Sequence, residues 1–184
     1  MATTISRKGY GQVEPNHLSA QRNGKIYAQL PAHIKKGDND AVATIAQLEN
    51  GQFAKYDYAN KEVNFSGDGE WLLVYNEVKV YDERDSYKDF AMINTNYVNG
   101  EIYPRLFKTD IGDIFTTNCI KTAGTGKDAI SAGEDVSVGD KLKVSATGYL
   151  TVDNSVSTGM IWKVVDITTC PDAEQPAVKI QRIN

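Results

Sequence analysis

The sequence predicts a mainly β protein, made of small β-barrel or β-sandwich units with one short helix and an extended N-terminal arm. Gly-Asp and Asn-Gly pairs recur between short apolar stretches of strand length, in which β-branched and aromatic residues are frequent. Turn signals at this spacing are typical of all-β sandwiches and barrels. The pairs are Gly37-Asp38, Asn50-Gly51, Gly67-Asp68, Asn99-Gly100, Gly112-Asp113 and Gly139-Asp140.

Residues 1–24 are predicted to form the extended arm, because they are rich in Gly, Ser, Thr, Asn and Gln and lack apolar periodicity. A segment of this composition buries too little apolar surface to offset the entropy that it loses on ordering. It is therefore expected either to stay disordered or to dock on a neighbouring subunit. Its deletion is expected to leave the thermal melt of the isolated protein nearly unchanged.

Residues 25–104 are predicted to form a β-rich domain, with a boundary placed near Pro104. Its stretch 71–81 (WLLVYNEVKVY) is β-branched and aromatic and is predicted to be a central strand. Residues 82–94 are predicted to be the short helix, since an aspartate can cap its start and apolar residues follow roughly at helical spacing. Residues 41–48 (AVATIAQL) fit a strand or a short helix, and periodicity does not decide between them.

Residues 105–184 are predicted to form a small β-barrel-like domain, because they contain five strand-length segments. The clearest is 141–146, in which Lys141 and Lys143 alternate with Leu142 and Val144. The other segments are 113–122, 149–152, 159–169 and 177–183.

The charge is mildly acidic and evenly spread, with 20 Lys and Arg against 24 Asp and Glu and a net charge of -4. No nucleic acid partner is expected, since phosphate binding needs a concentrated basic face. No signal peptide or membrane-spanning stretch is found, so the chain is expected to be made in a cytoplasm without a membrane partner. Cys119 and Cys170 lack redox or zinc spacing and are expected to be two thiols, or a disulfide in an oxidising environment.

No catalytic site, metal or cofactor is predicted, and the chain is expected not to be an enzyme. Its two histidines, His17 and His33, lie where little structure is expected. The glycine run 124–128 (GTGKD) lacks the spacing of a phosphate-binding loop. The acidic residues within 82–89 are interpreted as a charged helix start.

Aromatic residues in irregular stretches are the better candidates for an interface with another protein. Tyr10, Tyr27 and Tyr97 are of this kind, and Arg22 is added from the most basic part of the chain.

Four short segments resemble small structural proteins of tailed bacteriophages that decorate the head or form the base of head fibres. The resemblance covers roughly residues 40–184. It implies a virion component on the capsid exterior that binds and stabilises the lattice of the major capsid protein and self-associates, for example as a trimer. The segments are 75–90 (YNEVKVYDERDSYKDF), 112–115 (GDIF), 139–142 (GDKL) and 148–150 (GYL).

Two other functions remain open at this point. One is a neck or tail component of the same virion. A carbohydrate-binding β-sandwich module would expose two or three tyrosines on one flat sheet face.

Overall fold

A computed structural model of the chain describes residues 3–5, 13–17, 26–27, 30–33, 45, 48–76, 91–92, 101–121, 134–169 and 176–184. These residues form strands and no helix, and the predicted mainly β fold is confirmed. The strands are β1 (Thr3–Ile5), β2 (Val13–His17), β3 (Ile26–Tyr27), β4 (Ala32–His33), β5 (Leu48–Glu49), β6 (Phe53–Asp57), β7 (Glu62–Asn64), β8 (Leu72–Val74), β9 (Ala91–Met92), β10 (Glu101–Ile102), β11 (Leu106–Phe107), β12 (Ile114–Thr117), β13 (Glu134–Val136), β14 (Lys141–Val144), β15 (Leu150–Val152), β16 (Ile161–Thr169) and β17 (Pro176–Arg182).

Two large sheets contain most of the strands. One has seven strands in the order β10-β4-β7-β6-β8-β11-β3, and the other has six in the order β15-β14-β16-β17-β12-β2. Strands β1 and β13 form a separate pair, as do β5 and β9. The named pairs are antiparallel except for β4 with β7, which are parallel.

The middle strands of the seven-stranded sheet bury side chains on both faces. Along β8, Leu73 joins one apolar core while Leu72 and Val74 join another, as the two-residue period of a strand requires. The first core lies between this sheet and the six-stranded one. The buried residues of that first core are Val13, Phe53, Leu73, Phe107, Phe115, Ile120, Val136, Leu142, Leu150, Trp162, Val164, Val178 and Ile180.

The five strands predicted within residues 105–184 all occur, and they make up most of the six-stranded sheet. The sixth strand is β2, from the predicted arm. Thr117 of β12 is opposite Val13, which is 8% exposed and belongs to the core between the sheets. The described part of the arm therefore contributes to the core of its own chain, whereas the sequence predicts that it stays disordered or docks on a neighbouring subunit. Ladder hydrogen bonds and one buried valine hold this strand in the sheet, so it forms although its sequence has no apolar periodicity.

The end of the predicted helix is also corrected. Ala91 and Met92 lie in a strand, where they are opposite Glu49 and Leu48. Pairing with a distant strand has overridden the local helical spacing, which short apolar segments specify weakly. Residues 82–90 and 93–94, the remainder of that prediction, lie outside the described part of the chain.

The division near Pro104 stays a prediction, but the described core extends across it. Strand β11 begins just after Pro104, yet it pairs with β8 and β3 from the preceding segment. Phe53 and Trp162 belong to one core although they lie on opposite sides of that boundary.

Val13→Ala tests whether the arm belongs to the core. Removing two buried methyl groups should lower the free energy of unfolding by about 2 kcal/mol, measured by urea denaturation. Val138→Ala is the matched control, because Val138 is 60% exposed and its truncation should change stability by less than about 0.5 kcal/mol. If both variants were as stable as the wild type, β2 would not be part of the core.

Candidate interaction surface

The residues chosen from sequence as interface candidates are not brought together in the described structure. Tyr10, Arg22 and Tyr97 lie outside the described residues. Tyr27 lies in β3, the outermost strand of the seven-stranded sheet, where its backbone is opposite Leu106. The proposed roles of these four residues stay predictions.

The residues weighed for catalysis are dispersed as well. His17 lies in β2 opposite Ile114, and His33 lies in β4 with Nε2 3.8 Å from Oε2 of Glu62. Within the described ranges, no group of three or more His, Cys, Asp or Glu side chains could hold a metal ion. Cys119 is fully buried, and Cys170, the other cysteine of the chain, lies outside those ranges.

A rigid turn precedes β12. In Asp110 to Asp113, the N–H of Asp113 donates to the carbonyl of Asp110 (3.1 Å), and the N–H of Asp110 donates to Oδ2 of Asp113 (2.8 Å). Gly112 has φ 98°, the positive value that the third residue of a type II turn requires. Ile111, at the tip, is 68% exposed.

The turn before β14 repeats this geometry. The N–H of Asp140 donates to the carbonyl of Ser137 (3.1 Å), and the N–H of Ser137 donates to Oδ2 of Asp140 (2.8 Å). Gly139 also has φ 98°, and the tip is the exposed Val138. Two separate segments therefore present a β-branched side chain on the same kind of turn.

A local two-fold relation connects the two turns. The glycine N–H of each donates 2.8 Å to a central strand, from Gly112 to the carbonyl of Arg182 in β17 and from Gly139 to that of Val164 in β16. The relation places an axis between Lys163 and Gln181, which are directly opposite each other. Strand β14 then corresponds to β12. Equivalent inward pairs are Leu142 with Trp162 and Phe115 with Ile180.

The outer face of the six-stranded sheet is rich in lysine. Strand alternation turns the apolar side chains of β14, β16 and β17 into the core and the intervening ones outward. Four outward positions, which together form the lysine face, are Lys141, Lys143, Lys163 and Lys179.

Two of these lysines are directly opposite each other. The register pairs Lys141 with Lys163, and the other neighbour of Lys163 is the neutral Gln181. Like charges directly opposite in a sheet destabilise it by up to about 1 kcal/mol. In the described part of the chain, no carboxylate lies within ion-pair distance of either lysine. Positive charge is therefore concentrated here at a cost in stability.

The charge of the neighbouring Lys143 is balanced by an ion pair. Its Nζ lies 2.6 Å from Oδ2 of Asp153, which also accepts hydrogen bonds from Ser155 at Oδ1. The hydrogen bond from Lys143, followed by that from Ser155, lowers the pKa of Asp153 to about 2. Asp153 therefore stays ionised at neutral pH. Within the described ranges, Lys141, Lys163 and Lys179 have no ion pair, and Nζ of Lys141 donates to the carbonyl of Val156 (3.5 Å).

Comparison of the chain with protein-family models, with curated proteins and with solved structures finds no match. In the described ranges, no helix is long and apolar enough to cross a membrane.

The lysine face was only half visible in the sequence. The alternation in 141–146 places Lys141 and Lys143 on one face, which is a usable signal. Lys163 lies in another segment, and only the register between β14 and β16 brings it opposite Lys141.

Gly112→Ala and Gly139→Ala should each cost about 1–2 kcal/mol in unfolding free energy, measured by urea denaturation. The cause is backbone strain alone, because an added Cβ would meet nothing within 4 Å at either position. Gly148→Ala should cost more than about 3 kcal/mol, since its Cβ would lie 2.2 Å from the carbonyl oxygen of Phe53. Clearly unequal costs at the two turns would contradict their equivalence.

The titration of Asp153 tests its contact with Lys143. A carboxyl whose pKa is lowered in the folded state stabilises the fold above the unfolded pKa, and the contribution is lost as the pH falls through the folded value. NMR titration should give a midpoint near 2 for Asp153 in the wild type. In Lys143→Met it should move up towards 3.8. An unchanged midpoint in that variant would exclude Lys143 as the main cause.

Proposed function

We propose that the chain is a non-enzymatic structural protein of a tailed bacteriophage, which decorates the capsid by binding the assembled lattice of the major capsid protein. The sequence resemblance supports this proposal, and the mainly β fold is compatible with it. The role includes self-association and a position on the capsid exterior. A neck or tail component of the same virion is the alternative with the same support.

The opposed lysines Lys141 and Lys163 carry the structural part of the proposal. This like-charge pair weakens the isolated sheet. A feature that lowers stability without a local gain indicates that the outer face has a binding role. An acidic partner surface would relieve the repulsion and would be attracted from a distance, with a dependence on salt. The attachment surface is accordingly the lysine face, and the partner surface is acidic.

The two equivalent turns suit the same role. Ile111 and Val138 are apolar side chains on turns that are fixed by backbone and side-chain hydrogen bonds, so little entropy is lost when a partner covers them. Weak contacts of this kind become effective on a shell, because only the assembled lattice presents many equivalent sites. Binding to the assembled state alone would stabilise it.

Lys163→Glu separates attachment from stability. The change turns a like-charge pair into an opposite-charge pair, so the isolated protein should be more stable by up to about 1 kcal/mol. Its attachment to undecorated shells of the phage that encodes it should weaken at least about tenfold, measured by co-sedimentation at low salt.

Lys61→Glu is the matched control, because Lys61 is exposed on the turn between β6 and β7 of the other sheet. This variant should attach as well as the wild type. Equal loss in both variants would indicate a general charge effect and would contradict the assigned face. Failure of the wild type to co-sediment, or a preference for DNA over shells, would overturn the proposed function itself.

A further inference from the structure

A second surface lies on the seven-stranded sheet, away from the lysine face. A cleft of about 140 Å³ opens between the β6–β7 hairpin and the loop that leads into β8. Tyr58 forms one wall and is 70% exposed, which is unusual for a large aromatic side chain. Tyr56, Gly69, Glu70 and Leu72 complete the lining.

The aromatic wall is held in place from behind. The ring of the buried Tyr56 lies 5.7 Å from that of Tyr58, at an interplanar angle of 43°. This contact supports Tyr58 while leaving most of its surface open to solvent. The buried Leu72 adds an apolar side to the cleft. A ligand with a flat apolar surface could therefore stack against Tyr58 without displacing any protein group.

Glu70 supplies the polar part of the lining, and its charge is balanced by Lys108, which lies beside the cleft without lining it. Oε1 of Glu70 lies 2.7 Å from Nζ of Lys108, and both side chains are partly exposed. The pair offers acceptors and donors side by side, which is the requirement for binding hydroxyl groups. A cationic ligand would have to displace Lys108 from Glu70, so a neutral ligand is favoured.

The buried side-chain amide of Asn64 connects the hairpin to the loop and so fixes both sides of the cleft. Nδ2 of Asn64 donates to Oδ2 of Asp57 (3.1 Å) on the hairpin, while its Oδ1 accepts from the N–H groups of Ser66 (3.0 Å) and Gly67 (2.7 Å) on the loop. The hydrogen bond from the N–H of Asn60 to Asp57 is the main cause that lowers the pKa of this carboxyl, so it is ionised at neutral pH.

The loop also lies against β6 at a position where a side chain has no room. A Cβ on Gly67 would lie 2.3 Å from the carbonyl oxygen of Tyr56. The cleft is therefore formed before any ligand arrives, and binding loses little energy to ordering.

We propose that this cleft, lined by Tyr58 and Glu70, binds a single unit of a neutral sugar. A pyranose ring has an apolar C–H face that can stack on Tyr58 and hydroxyl groups that can bond to Glu70 and Lys108. The cleft is smaller than the sites that hold drug-sized ligands, which limits the occupant to about one ring. Polynucleotides are disfavoured, because the charge of Glu70 is balanced by Lys108 and none of the residues that line the cleft is basic.

This site is independent of the proposed attachment to a shell, because it lies on the other sheet. A protein that is attached to a shell through its lysine face could therefore bind a glycan at the same time. Loss of shell binding and loss of sugar binding are separate results, since the sugar experiment uses the isolated chain.

NMR titration of the isotope-labelled full chain tests the site directly. The probes are the methyl glycosides of glucose, galactose, mannose and N-acetylglucosamine, each added to about 50 mM, since one sugar unit should bind with a Kd on the order of 1 mM. At least one glycoside should shift the amide signals of residues 56–58 and 69–72. Absence of shifts with all four would overturn the proposal.

Variants locate the binding. Tyr58→Ala should weaken it at least about tenfold, whereas Tyr58→Phe should keep it within about threefold, because the ring and not the hydroxyl forms the platform. Asn64→Ala should weaken it by loosening both walls. Tyr103→Ala is the control, since Tyr103 is 58% exposed but does not line the cleft.

Thermal melts check that each variant is folded. Equal binding by Tyr58→Ala and wild type would overturn the proposal. So would saturable shifts at the same residues with N-acetyl-lysine methylamide or oligothymidine in the absence of any effect of the glycosides.

Discussion

Contact between three aromatic rings holds the two large sheets together, and both candidate surfaces depend on it. Phe53 comes from the seven-stranded sheet, while Phe115 and Trp162 come from the six-stranded one. The ring of Trp162 lies 5.7 Å from that of Phe53 and 4.9 Å from that of Phe115. All three side chains are fully buried, and each such ring removes roughly 150–250 Å² from water. At about 25 cal/mol per Å², each contributes about 4–6 kcal/mol as an upper bound.

Backbone contacts reinforce the aromatic cluster at the same place. The N–H of Phe53 donates to the carbonyl of Gly148 (2.7 Å), and Nε2 of Gln52 donates to the carbonyl of Thr147 (3.1 Å). Gly148 has no room for a side chain, so the β14–β15 turn lies directly on β6. Because the inward faces are committed to this contact, the outer face of the six-stranded sheet and the β6–β7 hairpin are left available for binding.

Local patterns predicted those parts of the fold that local interactions determine. Turn geometry and the two-residue period of a strand depend on adjacent residues. The sequence therefore predicted the Gly-Asp turns at Gly112 and Gly139 and the alternating strands that follow them. The strand at Val13 was missed, because a single apolar residue carries no periodicity and the pairing with Thr117 joins distant segments. The same reason explains Met92, where a distant partner at Leu48 replaces the expected helix end.

The candidate surfaces were harder to predict than the strands. Lys163 and Lys141 become neighbours only through the register of β14 and β16, and Tyr58 and Glu70 meet only because Asn64 ties a hairpin to a loop. Neither arrangement has a sequence motif. The resemblance to phage head proteins suggested the class of partner but assigned no residue to the contact.

Electron cryomicroscopy of shells mixed with the purified chain would show which face of the chain meets the capsid. We expect density for the chain on the shell exterior, with Lys141 and Lys163 facing an acidic surface of the capsid lattice and the Tyr58 cleft open to solvent. Density in which the seven-stranded sheet contacts the lattice and the lysine face is exposed would contradict it.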